Sequence, residues 1–376
     1  MPMSTIHRQC LGTRQAHASS LATAGRRRQH INRSVIRCAA ATAPSKAVVE
    51  DQVEIGKSGI MVSSLAIGAW QFGDISFWGY STYGGYGEDQ IRQAYRGIVE
   101  SGLNFVDTAE VYGRGGSEQF LRDFARQTGK PVKIATKFAP LPWRFGEQNV
   151  IKACKGSLER LGLQQMELYQ QHWPGFPVVN SWANDAFYRG LAQCQKQGLT
   201  KAVGVSNHNE KRLKRAFQVM QGNGVRLASN QVQFSLLYRR FEKDGMLEAA
   251  KELGVSIIAY SPLTQGLLAG NYKPGGSKPG GPRGALFSDD KLRDVQPLVE
   301  LLRDIGQSHG KKPAQVAVNW NICKGTIPIV GVKSYQQAVD AAGALGWRLS
   351  ADEVAALDKE SDKSKAQGLG APFENW

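Results

Sequence analysis

The first 49 residues of this 376-residue chain contain no aspartate and no glutamate, so every formal charge there is basic. Arg8, Arg14, Arg26, Arg27, Arg28, Arg33, Arg37 and Lys46 account for more than half of the formal net charge of +15. Beyond them, 39 basic residues face 32 acidic ones, too small an excess to point to a nucleic-acid partner. No apolar run approaches the roughly 18–20 residues that would cross a bilayer, and no integral membrane segment is expected. Cysteine is scarce as well. The five, at positions 10, 38, 154, 194 and 323, form no C-x-x-C pair and no short-spaced framework, so neither a structural disulfide nor a metal site is expected. A G-x-G-x-x-G after the first apolar run is also missing, which counts against a doubly wound dinucleotide-binding sheet.

What the opening stretch does contain is Ser, Thr, Ala and Arg without a long apolar core. That is the composition of an organelle transit peptide rather than of a secretory signal. The segment VIRCAA, with Cys38 before Ala39, is similar to the cleavage sites of chloroplast-targeted precursors. The expectation is a disordered transit peptide over 1–40, addressed to the chloroplast with the mitochondrion as the alternative, and a folded domain over 47–376.

From there, eight short apolar runs alternate with longer segments of three-to-four-residue apolar spacing. The runs are SLAIGAW, NFVDT, VKIATK, MELYQQH, KAVGVS, LASNQV, VSIIAYS and TIPIVG. Segments such as DQIRQAYRGIVESG and NVIKACKGSLERLG read as helices, several of them ending at glycine (Gly102, Gly162, Gly198, Gly254). Eight strands that are apolar throughout argue for a parallel sheet buried on both faces. The count and the length suit an α/β fold of the (β/α)₈ TIM-barrel type, in which catalytic residues sit at the C-terminal strand ends. Two connections are anomalous: WPGFPVVNSWAND, and the Gly/Pro-rich stretch containing NYKPGGSKPGGPRG between Ser261 and Asp289. Loops that long are usually functional.

Four residues capable of a joint hydride reduction lie at the ends of three consecutive runs: Asp107 and Tyr112, Lys137, and His172. Hydride arriving at a carbonyl carbon leaves negative charge on oxygen, which needs a proton donor within about 3 Å. Tyr112 is the expected donor. A phenol is a weak acid, so Lys137 is expected to lower its pKa, Asp107 to hold the lysine, and His172 to orient the carbonyl.

This ordered set resembles the aldo-keto reductase family, and the resemblance runs from about Val53 to Trp347. It implies an NADP(H)-dependent reductase of a small carbonyl substrate, with the tetrad in the roles just given. It also implies a cofactor set. Ser206, Asn207 and Gln231 would meet the nicotinamide carboxamide, and Tyr260 would stack on the nicotinamide ring. Ser261, Pro262, Leu263, Gly266 and Leu268 would pass over the pyrophosphate. Lys333 and Ser334, at a helix start suited to anions, would take the 2′-phosphate. Gln337 and Asp340 would reach the ribose phosphate and adenine, and Gly68, Trp70 and Gly331 complete the set. Ala341 and Asn271 depart from the family's usual Asn and Lys, and Arg283 would restore the second charge. Trp70, Trp78, Tyr83, Trp143 and Trp173 would frame an apolar substrate mouth. Related potassium-channel β-subunits keep the same tetrad, so a cofactor-sensing subunit is the alternative to an enzyme.

Overall fold

The computed structural model describes residues 50–366. The expected leader over 1–40 lies outside the described residues, as do both ends of the expected 47–376 domain. Among the described residues there are ten strands. β1 (Gln52–Glu54) and β2 (Met61–Ser63) form an antiparallel hairpin, and β3 (Ala66–Gly68) to β10 (Ile327–Gly331) close into a barrel. Between them come β4 (Phe105–Asp107), β5 (Lys133–Phe138), β6 (Met166–Gln171), β7 (Thr200–Ser206), β8 (Leu227–Gln233) and β9 (Ser256–Tyr260). Every neighbouring pair around the barrel is parallel, and β10 returns to pair with β3, so the barrel itself has no free edge. All eight expected runs became barrel strands, and the fold is the (β/α)₈ barrel.

Inside the barrel, one layer is filled by small and branched side chains from successive strands, among them Ala66, Phe105, Ala135, Leu168, Ala202 and Ile258. The hairpin loop adds Ile55 and Ile60 to that layer and so seals the N-terminal end. Its tightest point is Gly56, with φ +58° and room for no side chain, since a Cβ there would stand 2.6 Å from the Ala228 carbonyl oxygen. Helices cover the outside by their spaced apolar faces. In Glu88–Glu100 the buried positions are Ile91, Ala94, Tyr95, Gly97 and Ile98. Gly97 lets this helix approach Tyr335–Ala342, whose Tyr335 carbonyl oxygen lies 2.8 Å from where a Cβ would be, and that contact brings the last and first helical layers together. The glycine helix stops are real in detail: Gly162 and Gly254 are left-handed C-caps, while Gly102 and Gly198 sit one residue past the cap, also at positive φ.

With the N-terminal end plugged, the opposite face is free for chemistry. The long stretch after β9 is only partly structured there, as two 3₁₀ segments, Thr264–Ala269 and Gly281–Leu286. It crosses toward the loop after β3. Gly281 packs so closely on the Tyr83 ring that a Cβ would sit 2.1 Å from it.

Candidate active site

Lys137 is wholly buried near the end of β5, and its ammonium donates to Asp107 Oδ2 at 2.5 Å and to the Thr108 carbonyl oxygen at 2.8 Å. Asp107 closes β4, and its other oxygen, Oδ1, accepts from Gln231 Nε2 of β8 at 2.8 Å. Burial pulls the two groups toward neutrality, raising Asp107 and lowering Lys137, and each counters that pull on the other. With two donors on the carboxylate and two acceptors on the ammonium, the pair is well satisfied as ions.

Tyr112 begins the 3₁₀ turn Tyr112–Gly115 beyond β4, and its ring centre lies 5.1 Å from the Lys137 ammonium. Its hydroxyl is 3.4 Å from His172 Nε2, just past β6. One expectation is corrected here. The net shift of Tyr112 is upward: burial first, then the charges of Asp107 and Asp74, push its pKa well above the usual 10. The ammonium is engaged by Asp107 and lies over the Tyr112 ring instead of bonding to its hydroxyl. His172 is driven the other way. Burial and the Lys137 charge hold it well below 6.5, so it is a neutral imidazole.

Asp107, Tyr112 and His172 open on a cavity of about 1370 Å³, with Lys137 buried behind them. That is larger than the roughly 300–1,000 Å³ usual for one small ligand, and it suits a long cofactor with a substrate beside it. Gly68, Trp70, Ser206, Asn207 and Gln231 line it, as do Tyr260, Ser261, Pro262, Leu263 and Gly266. So do Arg283, Gly331, Lys333, Ser334, Gln337 and Asp340 at its far arm, together with the two departures, Asn271 and Ala341. Leu268 does not; its side chain is buried in the cluster formed with Phe234 and Leu298, because the 3₁₀ turn directs it into the core. Trp143 is also absent from the wall. It stands 71% exposed on the loop after β5, outside the substrate mouth. The place expected of it falls to Phe77, which stacks on Trp70 with ring centres 5.1 Å apart.

The amides expected to meet a cofactor are already part of one network. Asn207, at φ +60°, donates to the His172 carbonyl oxygen at 2.9 Å and accepts from the Tyr260 hydroxyl at 2.9 Å. Ser206 Oγ donates to the Gln231 carbonyl oxygen at 2.7 Å. At the far arm, Arg283 and Lys333 both lie over the Trp78 ring, at 4.9 and 5.1 Å from its centre. Among the described residues neither has an ion-pair partner, and the Arg283 Nε is buried without a hydrogen bond. Burial and the neighbouring guanidinium bring Lys333 down to about 8. Ser334 caps the helix Tyr335–Ala342 beside them. Two adjacent cations at a helix start, short of an anion, fit a phosphate.

His208, which no spacing pattern singled out, is buried beneath this network. Its ring bonds the Ser206 carbonyl oxygen through Nδ1 at 2.8 Å and the Tyr188 hydroxyl through Nε2 at 2.9 Å. All three described cysteines, Cys154, Cys194 and Cys323, are free thiols, and the described residues hold no cluster of His, Cys, Asp or Glu that would bind a metal.

The Aldo/keto reductase family model matches residues 64–362. Pyridoxal reductase, chloroplastic, of Arabidopsis thaliana is 40% identical over 326 residues, spanning 82% of this chain and 87% of that protein. An aldo-keto reductase of Strobilurus tenacellus is 34% identical over 281 residues, 71% of this chain and 80% of that one. Among solved structures, an aldo/keto reductase from Klebsiella pneumoniae in complex with NADP and acetate shares the fold, with a TM-score of 0.65 at 24% identity over 85% of this chain and 99% of that one. The chain belongs to the aldo/keto reductase family and is an oxidoreductase.

Burial brings His208 from 6.5 down to about 4, so the fold favours its neutral form. Its contribution to stability is complete above pH 6.5 and is lost as pH falls from there toward 4. Between pH 7.5 and 5 the wild type should lose about 2 kcal/mol more than His208→Gln, which cannot titrate. Urea unfolding at the two pH values checks this; equal losses in both proteins would contradict it.

Proposed function

We propose that this protein reduces an aldehyde or ketone to the alcohol with NADPH, Tyr112 giving the proton. One observation carries the reading: a buried ammonium held by a single carboxylate stands 5.1 Å from the ring of a half-buried tyrosine whose hydroxyl faces a neutral histidine. NADPH, when bound, supplies the hydride that reaches the carbonyl carbon. The chain's own residues then deal with the oxygen. Its negative charge belongs to an alcohol about as weakly acidic as water, far weaker than a phenol, so even a phenol weakened by burial can give up its proton. In the resting site the raised pKa keeps Tyr112 protonated and ready. Lys137 matters when the proton leaves, because an ammonium stabilises the tyrosinate that forms and so offsets part of the cost that burial puts on it. His172, as the tautomer protonated on Nε2, offers the same oxygen a second hydrogen bond.

The cofactor arm supports NADPH over NADH. Lys333 and Arg283, with Ser334 at the helix start, form the cationic corner for the 2′-phosphate, and Gln337 and Asp340 lie beyond it for the adenosine end. Ser206, Asn207 and Gln231 stand at strand ends for the carboxamide, with Tyr260 as the stacking face and the 261–266 backbone over the pyrophosphate. For the substrate, the ring-lined mouth of Trp70, Phe77, Trp78 and Tyr83 suits an aromatic or small apolar aldehyde. Pyridoxal, which names the Arabidopsis relative, is the first compound to test. The acid-free, Arg- and Ser-rich leader and the chloroplastic relative together favour the chloroplast as the place of action.

Tyr112→Phe keeps the ring and removes the acid. Turnover of an accepted aldehyde should fall roughly 10²–10⁴-fold while NADPH affinity, followed by fluorescence titration, stays within about twofold. Near-normal turnover in this variant would remove Tyr112 from its role.

Lys333→Glu tests the cofactor assignment separately. NADPH should bind at least about tenfold more weakly, with NADH far less affected, because only NADPH carries the 2′-phosphate. An unchanged preference between the two in direct titrations would contradict it.

A further inference from the structure

The loop between β3 and the first covering helix has no helix or strand over residues 69–87, yet it forms one wall of the substrate mouth. A single carboxylate organises it. Asp74 Oδ1 accepts the backbone N–H of Phe77 at 2.7 Å and of Trp78 at 2.9 Å, while Oδ2 accepts the Trp70 indole N–H at 3.3 Å. Ser76 adds its hydroxyl to both oxygens. Three rings are thereby fixed around one side chain. Trp70 lies parallel to Phe77, Trp78 stands edge-on to both, and Trp70 stacks on Tyr112 with ring centres 6.0 Å apart.

All the donors to Asp74 are neutral, and no described cation forms an ion pair with it. The loop therefore sets a carboxylate directly behind the aromatic wall. Ring faces carry negative potential of their own and attract cations, and the attraction grows when water is excluded. The structure displays that tendency: Arg283 and Lys333 both rest over Trp78. The cavity's other cations are accounted for on the cofactor arm. Lys312 is paired with Asp340 at 2.7 Å, and the Arg283–Lys333 corner is assigned above to the cofactor phosphate.

From this arrangement we propose that Asp74, with the rings of Trp70 and Phe77 that it holds, selects carbonyl substrates by charge, favouring those that carry a cationic nitrogen on or near an aromatic ring over carboxylates. Asp74 is a positioning and specificity residue, not a catalytic one, because it reaches the substrate through the rings it holds. The proposal rests on the carbonyl-reductase reading for its substrate class. Its physical core, charge selection by Asp74 and these rings, can be measured without turnover.

The test uses the full chain and three benzaldehydes: the para-trimethylammonio compound, the unsubstituted one and the para-carboxylate. Calorimetric titration should show the cation binding at least about tenfold more tightly than the anion in the wild type. Asp74→Asn, which keeps an acceptor oxygen but removes the charge, should reduce that ratio about fivefold or more. Asp74→Glu should weaken all three compounds by moving the rings, yet retain the ratio. With NADPH present, the same order should appear in kcat/KM through KM. A wild type that binds cation and anion equally would overturn the proposal. A ratio that survives in Asp74→Asn would overturn it as well, leaving Asp74 as a scaffold alone. If the binding preference holds but none of the three aldehydes is reduced, charge selection stands and the reductase reading fails for this compound class.

Discussion

An ammonium with no exposed surface stays charged only while a carboxylate holds it, and in this barrel Asp107 does so for Lys137 at 2.5 Å. The effective cost of burying each ion is several kcal/mol, and removing one partner of such a pair typically destabilises a protein by about 3–5 kcal/mol. The fold supports that burden because both residues come from adjacent parallel strands, β4 and β5, whose register fixes their separation before any substrate arrives. The pair's surroundings follow from it. Gln231 turns its amide to the second Asp107 oxygen, and Tyr112 lays its ring over the ammonium. The charge of Lys137 also helps to keep His172 neutral. A neutral residue at position 137 would alter every one of these relations.

The pair also joins the two arms of the cavity. From Asp107 the contacts pass to Gln231, whose carbonyl oxygen takes the Ser206 hydroxyl, and on to Asn207, His172 and Tyr260. In the other direction Tyr112 contacts Trp70, and through it the Asp74 loop. Residues with positive φ gather along this face, including Asn207 at +60° and Ser261 at +55°, conformations that non-glycine residues rarely adopt. Such strain persists where the surroundings over-determine it, and here the strand ends and their hydrogen bonds do so. The opposite end of the barrel is closed by apolar contacts of Ile55 and Ile60.

Much of this was legible before any coordinates, and for identifiable reasons. Buried parallel strands are apolar throughout, so runs such as VKIATK and VSIIAYS stood out, and strand ends are where a barrel exposes functional side chains. Asp107, Tyr112, Lys137 and His172 were found by residue type at those ends. The β1–β2 hairpin escaped because each strand is three residues long and no period can be read from three. Trp143 and Leu268 were misplaced because a loop's direction depends on tertiary packing, which sends one outward and the other into the core. The net upward shift of Tyr112 is not legible in the sequence, because it turns on burial, which neighbouring residue types do not reveal. His208 and Asp74 gave no signal, being single polar residues whose importance lies in the partners that the fold brings to them.

The central claim is that Lys137 acts through Tyr112, as the charge that stabilises its anion while the proton is passing. The most direct measurement is kcat/KM for an accepted aldehyde in Lys137→Met, Tyr112→Phe and the double variant, each checked for folding. If the lysine works through the tyrosine, the double variant should be no worse than the poorer single one by more than about threefold, since residues acting as a unit are far from additive. Losses that multiply in the double variant would contradict the account and give Lys137 a separate task in the site.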